Sequence, residues 1–242
     1  MMKLNLVRRW VARSIAIAVI SSSLVGSRSQ ALPSVRFEPP SGGAPAETKG
    51  GASRGDIACA TSTSRDTPQI VLVTPANSNY GLTTLEHPTF LMYVPPSSAQ
   101  AAFFSIKNAK GQIHYRQLLS VPSQGGILRL TLPKTIAPLA MNQSYEWGIV
   151  LMCGGRLRPD SPFASGWIQR IQLANRINAN LKKQSTIEQA ATYGASGIWY
   201  DMISTIADLK QQKPQDPAIR ETWKQILDAA GLTKITSATL VN

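Results

Sequence analysis

The residues able to carry chemistry are few and scattered. His87 and His114 are the two histidines. His87 precedes Pro88 in an extended dipeptide, and His114 lies in a predicted strand on the side opposite Ile113 and Tyr115, so both are read as exposed. A zinc hydrolase would need closely spaced ligands of the His-Glu-x-x-His kind, and neither histidine has them. Glu86, Glu146, Asp160 and Asp201 are spread along the chain, and nothing pairs two of them at the roughly 5–9.5 Å that glycosidases use. Glu146, between Tyr145 and Trp147, is read as a surface partner for a neighbouring Lys or Arg. No serine sits in a Gly-x-Ser-x-Gly elbow. The Gly-Gly pairs at 42–43 and 50–51 follow no strand and precede no Gly-Lys-Ser/Thr, so a phosphate-cradling loop is not supported. Arg54-Gly55-Asp56 and Asn142-Gln143-Ser144 match an adhesion tripeptide and a glycosylation acceptor, but patterns this short decide nothing. The sequence therefore assigns no catalytic residue, no metal ligand and no cofactor.

Two features remain. Cys59 and Cys153 are the only cysteines, and an even count in an oxidising compartment predicts one disulfide between them, stapling the lead-in to the core. Trp199-Tyr200-Asp201 stands at the start of a predicted helix. Adjacent helical positions do not share a face. One aromatic is therefore expected against the β region and the other on a groove or partner, with both packing inward as the plainer alternative. Trp147, Trp167 and Trp223 are read as core.

The elements that must position these residues begin after an export signature. Lys3, Arg8, Arg9 and Arg13 precede an uncharged, largely apolar run at 14–25, and Ser29-Gln30-Ala31 supplies small residues for cleavage after Ala31. The run is short of the roughly 20 residues a membrane span needs, so residues 1–31 read as a cleaved signal peptide. Its loss, with Arg28, lowers the formal charge from +12 to +7. A basic surface of that size favours anionic surfaces or acidic partners. Nucleic acid is excluded, because no basic cluster with interleaved aromatics or known module is present. Residues 32–67, rich in Gly, Pro and Ser, read as an arm or linker. Residues 68–171 alternate short strands with turns: strands are predicted at 69–73, 89–94, 102–107, 113–119, 127–132, 144–152 and 166–171. In the sixth, Tyr145, Trp147, Ile149 and Leu151 face one way and Glu146, Gly148, Val150 and Met152 the other. This spacing fits an immunoglobulin- or fibronectin-like antiparallel β-sandwich, with a barrel as the competing closure. Residues 172–242 form a short C-terminal helical tail: helices at 173–183, from a Thr186/Gln189 capping box to 193, at 197–212, and from Asp216-Pro217 to about 230.

The mature chain resembles a cyanobacterial family of exported proteins of unknown function, DUF928-like. The resemblance rests on FEPPSGGAP at 37–45, RGDIAC at 54–59, LVTPANSNYGLTTLEHPTFLMYVP at 72–95, QSYEWGIVLMCGG at 143–155, YGASGIWYDMISTIADL at 193–209 and WKQILDAAGL at 223–232. It implies no activity that can be transferred residue by residue. The tail resembles a single tetratricopeptide-type unit, fewer than a solenoid needs. The expectation is a periplasmic or extracellular, non-catalytic binding or accessory module of the cell envelope. Another envelope or secreted protein is its expected partner. A surface-groove enzyme or carbohydrate-binding protein, and a structural surface component, are the alternatives.

Overall fold

The computed structural model describes residues 33–40 and 69–241. The chain runs β1 (Val71–Leu72), β2 (Tyr80–Thr83), β3 (Thr89–Val94), β4 (Ala101–Asn108), β5 (Ile113–Ser120), β6 (Gly126–Thr131), β7 (Ser144–Met152) and β8 (Phe163–Arg170). It continues through helices α1 (Asn175–Leu181), α2 (Thr186–Ala195), α3 (Trp199–Gln212) and α4 (Pro217–Ala229), a 3₁₀ turn at Thr233–Ile235 and a last strand, β9 (Leu240–Val241). Two sheets result, ordered β1-β3-β6-β9 and β2-β8-β7-β4-β5. Among the described residues the fold is mixed α/β, with two antiparallel-rich sheets and four helices.

The seven predicted strands all form, with ends shifted by up to three residues. Sequence reasoning misses β2 and β9. These are the two strands that pair in parallel, β2 on β8 and β9 on β6. Both are short, four and two residues, and no turn joins either to its parallel partner, so neither leaves a strong local mark.

Period-two alternation puts one face of each strand inward. Phe104 and Ile106 of β4 and Trp147 and Ile149 of β7 are buried with Phe90 and Met92 of β3. The sheets meet through these rings: the Phe90 centroid lies 4.8 Å from that of Trp147 and 5.3 Å from that of Phe104. β3 is buried on both faces. Arg129, the cross-strand neighbour of Leu91, pairs with Asp208 of α3 on the side away from those rings.

The helices are part of this core rather than a tail beside it. Met202, Ile203, Ile206, Trp223 and Leu227 join one continuous apolar cluster with both sheets. Helix starts follow the local chemistry. Ser185 caps α2 and Glu188 reaches back to its N–H at 2.7 Å, one residue ahead of the predicted Thr186/Gln189 box. Asp216 accepts from the Ala218 N–H at 2.9 Å and Pro217 opens α4. Gly231, at φ +78°, ends that helix. α1 is shorter than predicted, and its Leu181 packs with Tyr80, Leu82, Leu173 and Ile198 in a second cluster over the β2 edge.

Candidate functional site

The Trp199-Tyr200-Asp201 cluster is internal. Trp199 is 0 % exposed and Tyr200 and Asp201 are 1 % exposed, so none presents a surface to a partner. The expected outward-facing aromatic is thereby corrected. Adjacent helical residues do diverge, but the start of α3 is enclosed on every side, and both directions lead into protein. Trp199 donates its Nε1–H to the Val73 carbonyl at 2.7 Å and meets Phe37 edge-on at 4.9 Å. Tyr200 points between the sheets, where its hydroxyl accepts from Trp147 Nε1 at 2.6 Å and donates to the Trp167 carbonyl at 3.0 Å. Gly81 makes room for it: a Cβ there would stand 2.8 Å from Tyr200 Cε2.

The Asp201 carboxylate is held by threonines. Oδ1 accepts from Thr83 Oγ1 at 2.5 Å, and Oδ2 accepts from the Thr84 N–H at 2.9 Å and from Thr84 Oγ1. Burial pushes its pKa up, and the three hydrogen bonds pull the other way without reversing the shift. Burial, then the nearby Asp201 charge, raises the Tyr193 phenol, and burial pushes Tyr80 up to about 12. No cation faces Asp201 in these contacts. The arrangement is a buried polar anchor tying α3 to β2, not a site with room for a substrate.

The remaining candidates stay apart. His114 stays partly exposed but does not stand free in solvent: its Nε2 lies 3.0 Å from the Ala137 carbonyl and its ring meets Tyr145 at 5.1 Å. The cause is a register shift. Ile106 pairs with Tyr115 but Lys107 pairs with Ile113, leaving His114 as an extra, bulged residue and turning Ile113 outward. His87 is half-buried, with Nε2 3.1 Å from the Ile136 carbonyl. Glu86 pairs with Arg170 at 2.9 Å and Asp160 with Arg158 at 3.1 Å. Among the described residues, no three His, Cys, Asp or Glu side chains are grouped to hold a metal ion. Cys153 is buried just past the end of β7. Cys59 and Arg54-Gly55-Asp56 lie outside the described residues.

A site that sequence reasoning missed lies on the outer face of the five-stranded sheet. Register sets its rows. Ser105, Gly148 and Ser165 are direct neighbours across β4, β7 and β8, with Arg116 of β5 continuing the row. On one side runs the row Leu118, Phe103, Val150 and Phe163. On the other run Lys107, Glu146 and Trp167. The low middle row makes the floor of a trough between two taller walls, with a cavity of about 180 Å³ over β4, β7 and β8. Glu146 thus stands directly across from Lys107, the kind of neighbour expected for it, although no salt bridge joins the two among the described residues. The outward set Glu146, Gly148, Val150 and Met152 was legible from alternation; the flanking strands that complete the trough needed the register.

A larger cleft of about 410 Å³ lies between the β5–β6 turn and the segment leading into β9, lined by Tyr93, Pro96, Pro122, Gln124, Lys234 and Leu240 among others. No helix among the described residues is long and apolar enough to cross a membrane.

Comparison with known proteins adds a family and little else. No functionally curated protein matches the chain. Among solved structures, the β-glucuronidase of Parabacteroides merdae aligns with 72 % of this chain at 10 % identity and a TM-score of 0.25. The chain spans 28 % of that enzyme's length, and a likeness so low carries no argument. A family model described as Domain of Unknown Function (DUF928) matches residues 49–240. With most of its length covered by that match, the chain belongs to the DUF928 family.

Proposed function

We propose that this protein is an exported, non-catalytic binding or accessory module of a cyanobacterial cell envelope, and that it binds through the outer face of its five-stranded sheet. The scaffold is read as a two-sheet sandwich of immunoglobulin-like kind, with its helices built in rather than appended. Residues 1–31 act as a cleaved signal peptide, and Cys59 pairs with Cys153 after export.

The observation that carries this reading is the contrast across one sheet. The inner face is closed by the second sheet and by α3. On the outer face, Leu118 is 59 % and Ile113 is 56 % exposed, beside half-buried Phe103 and Phe163. Apolar groups grouped on an open face and interleaved with Lys107, Arg116 and Glu146 suit recognition of another molecule.

Truncating the helices would not test the reading, because α3 fills the core. The test is binding of the mature protein to isolated envelopes, comparing wild type with Leu118→Glu and Phe103→Glu. Wild type binds and both variants lose binding while keeping their melting temperature. Equal binding by all three would remove the outer face from the function.

A further inference from the structure

We propose that the trough on this outer face is a subsite for an anionic glycan strand lying across β4, β7 and β8, with its acidic end toward Arg116 of β5. The inference rests on the binding-module reading and names its ligand class.

Four features of the trough define the ligand. Its length is that of two strand spacings, roughly 10 Å over β4, β7 and β8, and it runs perpendicular to the strands. Its floor, Ser105, Gly148 and Ser165, carries no bulky side chain over three successive strands. One wall is apolar and aromatic, with Phe103, Val150 and Phe163; the other carries Lys107 and Glu146. Lys107 and Glu146 line the trough, and Arg116, across from Ser105 on the edge strand β5, adds a second cation at its end.

An extended peptide is the poorer match. Peptides add to sheets through backbone hydrogen bonds at an edge. Here β4 and β7 are interior strands whose backbone groups are already spent laterally on their neighbours. What points out of the sheet is hydroxyl, carboxylate, ammonium and guanidinium beside a flat apolar wall. A sugar ring offers the complement: hydroxyls at its rim, C–H groups on its face and, in a uronic acid, a carboxylate for Lys107 or Arg116. Such a mix of apolar wall and few convergent polar groups is the usual composition of a ligand site.

The experiment is isothermal titration of the mature protein with a short oligogalacturonide, a neutral cello-oligosaccharide of equal length and poly-glutamate. Expected is saturable binding of the oligogalacturonide, weakened by salt. Lys107→Ala and Arg116→Ala each weaken it about fivefold, the scale of one partly exposed ion pair. Ser105→Leu, which fills the floor, abolishes it. Unchanged melting temperatures show that the variants remain folded. Absence of saturable glycan binding overturns the proposal. So does stronger binding of poly-glutamate, or oligogalacturonide binding indifferent to all three substitutions. A protein that binds envelopes through Leu118 and Phe103 but binds no glycan sinks this inference and leaves the binding-module reading standing; one that binds neither sinks both.

Discussion

Two groups of polar and aromatic residues, at the start of α3 and on the outer sheet face, resemble each other in composition and differ in every physical respect. Trp199, Tyr200 and Asp201 have all their polar atoms directed at protein: a carbonyl, an indole and two threonines. Lys107, Glu146 and Ser105 sit over a depression open to water. The first group holds the fold, because a buried polar group is tolerated only when its hydrogen bonds are met inside. The second contributes little to the fold and is free to meet a ligand. Residue type does not separate the two; burial does.

That difference is open to measurement, and the largest effect belongs to the buried group. Trp199→Ala should cost about 3–5 kcal/mol, the usual price of removing a fully buried indole, read by denaturant unfolding. A loss below about 1 kcal/mol would show that the start of α3 is not the anchor described. Tyr200→Phe keeps the ring and deletes one hydroxyl, leaving Trp147 Nε1 buried without its acceptor. It should cost about 1–3 kcal/mol, and a neutral result would mean water replaces the hydroxyl.

Asp201 sharpens the contrast through pH. Its folded pKa is raised above the ordinary 3.8, chiefly by burial. Between those two values the native state holds the proton more tightly than the unfolded chain. Its contribution is therefore fully present below the unfolded pKa and is lost as pH rises through the folded one. The stability difference between wild type and Asp201→Asn should shift against wild type as pH rises through that window. A difference that is flat with pH would show that Asp201 titrates normally.

Smaller effects belong to the surface. Arg129→Ala breaks the pair with Asp208, whose side chains are 21 % and 41 % exposed, and should cost less than about 1 kcal/mol. Lys107→Ala and Leu118→Ala should lie within about 0.5 kcal/mol of wild type. A clearly larger loss for either would place the outer face in the scaffold and erase the comparison.

Much of the architecture was legible because its signals are local. Alternation along 144–152 correctly places Tyr145, Trp147, Ile149 and Leu151 inward. Asp216-Pro217 and Gly231 mark the ends of α4. The orientation of His114 was not legible, because a bulge is a property of two strands together. Nor was the burial of Trp199 and Tyr200, since helical periodicity describes faces and not what covers them.

The sequence by itself determined the strand and helix menu, the caps and turns, and the two faces of each strand, because these follow from backbone sterics and side chains a few residues apart. It also determined the membership of the DUF928 family. Tertiary structure alone decided that β2 and β9 pair in parallel, that the start of α3 is fully buried, and that Ser105, Gly148 and Ser165 line up as one floor. Each of those joins segments distant along the chain, and the hydrogen-bond register and packing that join them have no counterpart in any local stretch of residues.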